Sequence, residues 1–399
     1  MGPLITLLLS YLFTLSAAET LATEKVDIPE EKYMNFSQIT AKYGWESEHF
    51  TVTTEDGYIL KLFHLKGNEG NTPVLLMHGQ ADSSDTFIIR GNSSIAITLA
   101  NEGYDIWFGN VRGNKYSRSH VSLSPDHDIR KFWNFSFNEI ALYDLPATID
   151  FILNETGKDQ LSAIGHSMGT TIFFILGSEK PEYNSKISVF IALAPIAYMS
   201  NMPPLVEEFL TRTWPAVSTI LEAFGIEELL SHRGQSDDVA QIVCSLGMLG
   251  YDICEVGISS LVTGEDVNRA EPEFFQIVIG HFLSGTARKV TDHYSQISRS
   301  GRFAKFDYGL MNPVHYGMNK ELLKGPPAYN LNAITMPIAL MTGGKDKMGQ
   351  VHNVMKLKSQ LSNAYYYYYE GFNHGDFIWG NDLKTTLIPT IIDFLVKFN

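Results

Sequence analysis

Leu161-Ser162-Ala163-Ile164-Gly165-His166-Ser167-Met168-Gly169-Thr170-Thr171 sets one serine between two glycines, each two positions away. G-x-S-x-G alone decides nothing, since at ordinary glycine and serine usage it arises by chance in roughly one chain of this length in seven. The flanks are more informative. Leu161 to Ile164 reads as a buried strand, and Thr170 to Ser178, with the apolar run IFFIL ahead of Pro181, reads as a helix. Strand, G-x-S-x-G and helix in that order are the context of a nucleophile elbow. So sharp a turn strains the serine backbone, and side chains at Gly165 and Gly169 would collide across it. The strain lifts the Ser167 hydroxyl into the open and turns the Met168 N–H toward the same place.

A serine hydroxyl is a poor nucleophile unless a base takes its proton. In an elbow fold the acid and then the base follow the serine in chain order, each from a loop after a later strand. Pro337 to Met341 reads as a strand and runs into Thr342-Gly343-Gly344-Lys345-Asp346. Tyr365 to Tyr369 reads as the next strand, its five tyrosines structural, and runs into Glu370-Gly371-Phe372-Asn373-His374. The expected triad is therefore Ser167, Asp346 and His374. Asp376 competes for the acid role, but it lies two residues from His374 and has no strand end of its own. A tetrahedral oxyanion needs two preorganised donors. One is the Met168 N–H. The other is expected from the Gln80 N–H, in the loop Met77-His78-Gly79-Gln80-Ala81 after an earlier strand. His78 is given no proton-transfer role.

Around this centre, Glu48 to Thr54 and Tyr58 to Phe63 read as a hairpin about the turn Glu55-Asp56-Gly57. Strand-length apolar runs at Val74–Met77, Asp105–Phe108, Leu161–Ile164, Val189–Ala194, Ile338–Met341 and Tyr365–Tyr369 alternate with helix-length segments. That alternation predicts an α/β fold with a mostly parallel sheet and helices on both faces. It stops between about residues 202 and 312. There Leu205, Phe209, Val217, Leu221 and Phe224, then FFQIVIGHFL (274–283), predict an inserted helical cap. The core is thus expected in two parts, 39–201 and 313–399.

With 399 residues, 44% of them hydrophobic, the chain can bury a large core. A net charge of −14 leaves no basic stripe for phosphates, so nucleic acid is not an expected partner. Residues 1–18, MGPLITLLLSYLFTLSAA, read as a secretory leader too short to span a bilayer, although the usual Lys or Arg is missing at its start. Residues 19–38 read as a polar segment, a candidate propeptide. No other run resembles a membrane span. Four sequons, at Asn35, Asn92, Asn134 and Asn154, agree with a luminal or extracellular setting. There Cys244 and Cys254, the two cysteines of the chain, could close a loop worth on the order of 3 kcal/mol. Two free thiols are the alternative. No metal-ligand cluster or nucleotide loop appears, so no cofactor is expected.

Taken together, the motifs resemble the acid lipase family, the gastric and lysosomal lipases and their insect relatives. The resemblance covers nearly all of the chain after the leader. It rests on YGWESEHFTVTTEDGYIL (43–60), HGQADSS (78–84), NEGYDIWFGNVRGNKYSRSH (101–120) and FWNFSFNEIALYDLPATIDFIL (132–153), and continues through GHSMG, SGRFAKFDYG (300–309), GGKD and NHGDFIW (373–379). It implies an α/β-hydrolase core under a helical cap, with Ser167, Asp346 and His374 on the family's triad positions. It also implies cleavage of acylglycerol or sterol esters, in a lumen or outside the cell, with a lipid ester at a lipid–water interface as partner. Two positions depart from the family pattern: Met168 stands where Gln is usual, and Gln80 where Leu is usual. Both act through backbone N–H groups, but a polar residue 80 puts the acyl-pocket lining in question. A short-chain or sterol esterase, and an idle lipid-carrying relative, are the alternatives. The intact triad speaks against the second, and the apolar cap speaks against a peptidase.

Overall fold

The computed structural model describes residues 28–231, 263–264, 271–317 and 319–399. The leader and both cysteines, Cys244 and Cys254, lie outside these residues. Eight strands form one sheet in the order β1-β2-β4-β3-β5-β6-β9-β10. β1 (Glu48–Thr53) and β2 (Ile59–Leu65) make the expected antiparallel hairpin, and β2 pairs antiparallel with β4 (Asp105–Phe108). The remaining neighbours, β3 (Pro73–Met77), β5 (Leu161–His166), β6 (Ile187–Leu193), β9 (Ile338–Gly343) and β10 (Ala364–Tyr369), run parallel.

The central strands are buried on both faces, as their unbroken apolar runs require. Two clusters of apolar side chains pack on the two sides of the sheet. β10 is an edge strand, and its tyrosines divide between the faces. Tyr365 and Tyr367 pack on Phe394, with ring centroids 5.4 and 5.5 Å apart, while Tyr368 stays exposed. Every parallel strand ends at the same sheet edge, so loops after β5, β9 and β10 converge although their residues are far apart in sequence.

The segment read as polar up to Gln38 enters a helix, α1 (Phe36–Lys42), before that point. Asn35 caps it by accepting from the Gln38 N–H at 3.0 Å, while the Gln38 side chain accepts from the Asn35 N–H at 2.8 Å. Phe36 is buried beside Ile39, so the core takes in a residue assigned to that segment by polarity.

Between β6 and β9 the described chain is mostly helical. A helical run from Pro204 to Ala223, interrupted by a π-type turn at Phe209–Thr213, ends in α2 (Trp214–Ala223). α3 (Pro272–His281) and α4 (Arg288–Ser300) follow, and β7 (Glu228–Leu229) pairs with β8 (Thr286–Ala287) as a small second sheet. α4 buries Val290, His293, Tyr294 and Ile297, one face at i, i+3, i+4 and i+7 spacing. The Tyr294 hydroxyl lies 2.9 Å from Thr171 Oγ1, which seats α4 over the helix that follows Ser167.

Candidate active site

Ser167 joins β5 to α5 (Met168–Glu179) with φ 54° and ψ −117°, a left-handed conformation that a side-chain-bearing residue adopts at a cost. The two glycines make this turn affordable for different reasons. A Cβ on Gly165 would lie 2.7 Å from Gly169 O, the clash across the turn expected from sequence. A Cβ on Gly169 would instead meet Met77 O at 2.3 Å, so that glycine lets the helix start pass against β3.

His374 Nε2 is 2.8 Å from Ser167 Oγ, and His374 Nδ1 is 2.9 and 3.1 Å from the two carboxylate oxygens of Asp346. Three loops thus bring together the three residues nominated from sequence. Asp346 is buried, and its Oδ1 also accepts the Met348 and Gly349 N–H groups at 2.8 and 2.7 Å. Gly349 permits this approach, because a Cβ there would stand 2.7 Å from Asp346 Oδ2. The carboxylate on His374 Nδ1 is that of Asp346, and Asp376 has another partner. Its Oδ2 accepts the Asn373 N–H at 2.6 Å and helps shape the loop that carries His374.

The loop after β3 lies beside the serine, and a Cβ on Gly79 would be 3.3 Å from Ser167 Cβ. His78 is fully buried. It donates from Nδ1 to Gly79 O at 2.8 Å, and its Nε2 accepts from Val111 N–H and Asn114 Nδ2 at 3.3 and 3.2 Å. Burial pushes its pKa down to about 4, so the imidazole is a neutral brace for the loop. The Met168 N–H heads α5, where the first amides of a helix have no intrahelical acceptor. The side chain of Gln80 donates to Thr291 Oγ1 on α4 at 2.7 Å. Next to it Ala81 adopts φ 55°, and its carbonyl accepts the Ser284 N–H at 2.7 Å.

Contacts on the base loop have no sequence signal. The His374 and Lys347 N–H groups both donate to Thr263 O, at 3.0 and 3.3 Å. A Cβ on Gly264 would lie 2.0 Å from Lys345 O, so the chain passes tightly over the acid loop. Backbone carbonyls and a glycine make these contacts, and no residue pattern announces them.

The four sequon asparagines, Asn35, Asn92, Asn134 and Asn154, are all exposed. Asn134 Oδ1 also accepts from Lys289 Nζ at 3.0 Å. No helix among the described residues is long and apolar enough to cross a membrane. Along the helical run that includes α2, Leu205, Phe209, Ile220 and Phe224 are exposed, with Phe224 at 79%. The opposite side holds Leu210 and Trp214 against α4, where Trp214 Nε1 donates to Asp292 at 2.8 Å.

Comparison with known proteins agrees with this architecture. Residues 36–91 match the partial alpha/beta-hydrolase lipase region, and residues 72–237 match the alpha/beta hydrolase fold. The chain is 35% identical to Lipase 1 of Drosophila melanogaster, over 94% of this chain and 82% of that one. It is 36% identical to the gastric triacylglycerol lipase of Homo sapiens, over 92% of each. With the lysosomal acid lipase/cholesteryl ester hydrolase of Homo sapiens it shares 34% identity over 93% of each. Similarity of that extent over nearly the full length means that the chain belongs to the acid lipase family of the α/β-hydrolase superfamily and is a hydrolase of the broad lipase and esterase type.

Proposed function

We propose that the protein hydrolyses carboxylic esters of lipids, acylglycerols or sterol esters, through an acyl-enzyme on Ser167. The observation that carries this reading is the unbroken Ser167–His374–Asp346 relay at a strained elbow. His374 accepts the hydroxyl proton as Ser167 Oγ attacks the ester carbonyl, and Asp346 holds the ring and stabilises the imidazolium. The Met168 and Gln80 N–H groups receive the oxyanion. On collapse His374 returns the proton to the departing alcohol, and a water activated by the same ring then releases the acid.

Lipid rather than soluble substrate is supported by the exposed apolar side chains on the helical run, which suit adsorption to a lipid–water interface. Residues 202–312 are assigned to a cap over a core formed by 39–201 and 313–399. The leader, the exposed sequons and the names of the gastric and lysosomal relatives support a secreted or lysosomal setting with glycans at Asn35, Asn92, Asn134 and Asn154. The polar side chain of Gln80, on the loop whose Gly79 lies against the serine, favours a second reading, a short-chain esterase.

A hydrolysis profile over triacylglycerols, cholesteryl esters and short soluble esters, each from pH 4 to 8, separates these readings. Ser167→Ala serves as the blank. Absence of both hydrolysis and serine-directed phosphonate labelling in folded protein would point to an idle lipid carrier instead.

A further inference from the structure

His374 is held by its backbone as well as by its ring. Its N–H donates to Thr263 O at 3.0 Å, and its carbonyl accepts from His166 Nε2 at 2.9 Å. His166 is the residue immediately before Ser167. In the sheet, β5 and β10 are separated by β6 and β9, so the loop after β10 reaches back along the sheet edge and the His166 side chain ties it to the elbow.

The arrangement dictates the tautomer of His166. A carbonyl only accepts, so Nε2 carries the hydrogen and Nδ1 presents a lone pair. Among the described residues Nδ1 is buried without a partner, and a Cβ on Gly79 would lie 3.5 Å from it, so it faces the loop after β3. Leaving a buried acceptor unpaired is destabilising, and such groups persist where function requires the geometry. Burial and the neighbouring His374 push the His166 pKa down to about 3. The ring therefore stays neutral while His374, 5.1 Å away between ring centroids, gains and loses a proton.

We infer that His166 is a positioning residue that sets the spacing between the Ser167 hydroxyl and the His374 imidazole by holding the His374 carbonyl. This rests on the hydrolase reading above and deepens it. His166 acts through His374 and not on the substrate, so its loss lowers kcat and spares KM.

The test compares wild type, His166→Leu and His166→Gln on a short soluble ester, with the rate of fluorophosphonate labelling of Ser167 as a second readout. Leucine keeps bulk and cannot donate, whereas the glutamine amide reaches about as far as Nε2 and can. His166→Leu is expected to lose roughly 10- to 100-fold in kcat and in labelling rate with KM nearly unchanged, the scale of a displacement of about 1 Å. His166→Gln is expected to recover most of that loss. Wild-type rates in His166→Leu would overturn the inference, as would equal losses in both variants when both are folded. If His166→Leu does not fold, the comparison moves to His166→Asn against His166→Gln. The shorter asparagine amide must then be slower, and equal rates would overturn the inference. A wild-type chain that neither cleaves the ester nor takes up the label sinks the hydrolase reading itself, whereas an active wild type matched by His166→Leu sinks only the positioning role.

Discussion

The amide of Gln80 donates to Thr291 Oγ1 at 2.7 Å, tying the loop beside Ser167 to α4, between β6 and β9. This polar contact stands where the family usually places an apolar residue. Replacing Gln80 by Leu removes it and leaves the backbone N–H in place. Gln80→Leu is expected to raise the ratio of kcat/KM for a long-chain p-nitrophenyl ester over a butyrate by about 3- to 10-fold. The lost hydrogen bond lowers stability by about 1 kcal/mol. An unchanged ratio would show that residue 80 does not line the acyl site.

Gly169 and Gly157 provide a matched pair. Both are glycines at a helix end, but a Cβ on Gly169 would press on Met77 O at 2.3 Å, whereas a Cβ on Gly157 would meet nothing within 4 Å. Gly169→Ala is expected to lower unfolding free energy by roughly 2–4 kcal/mol and to cut activity with it, since the backbone must shift. Gly157, at φ 66°, carries only the left-handed cost, so Gly157→Ala should lose about 1 kcal/mol with activity retained. Chemical denaturation of both variants checks the contrast.

Asp346→Asn keeps the shape of the acid but no longer selects the His374 tautomer. Turnover on a soluble ester is expected to fall by ~10⁴, equivalent to about 5.5 kcal/mol of barrier, with an unchanged circular dichroism spectrum. Asp376→Asn should disturb the loop at residue 373 and reduce rather than abolish turnover. The reverse order of losses would exchange the roles of the two carboxylates.

Stability should respond to pH through Asp82, one residue beyond Ala81. Burial, with Asp85 nearby, raises its pKa to about 7 from an ordinary 3.8, despite the Ser83 N–H at 2.8 Å. A folded pKa above the unfolded one means that the folded state binds the proton more tightly. That contribution is fully present below about 3.8 and is lost as pH rises through about 7. His78, His166 and His293 act in the opposite sense. Burial depresses them to about 4, 3 and 4, so their neutral forms stabilise the fold above 6.5, and this is lost as pH falls toward those values. Asp82→Asn removes only the first term. The Tm of Asp82→Asn relative to wild type should therefore climb between pH 4 and 8, and a constant difference would refute the assignment.

The exposed helical run carries a further expectation. Ile220→Asp with Phe224→Asp leaves the described core contacts intact but places charge on the apolar face. Each buried apolar side chain is worth roughly 1.5–3 kcal/mol on transfer out of water. Activity on a triacylglycerol emulsion should drop at least about tenfold, while activity on a dissolved ester stays near wild type. Equal losses on both substrates would place the effect in folding instead.

The amino-acid sequence by itself determined the elbow, the hairpin, the strand alternation and the order Ser167, Asp346, His374. Each depends on local constraints: two glycines at a strained turn, apolar runs of strand length, and loops that must follow strands. The seating of α4 over α5, the His166 tie to a carbonyl 208 residues away and the Gln80 tie to a hydroxyl 211 residues away were decided only by tertiary structure. The same holds for Gly169, whose need for a bare Cα comes from Met77 on another strand. Asn35 lies between the two cases, because its N-x-x-Q cap is written locally but was masked by polar composition. Backbone carbonyls are present at every residue, so a contact made to one leaves no mark on residue type. Only the packing of the sheet decides which carbonyl arrives.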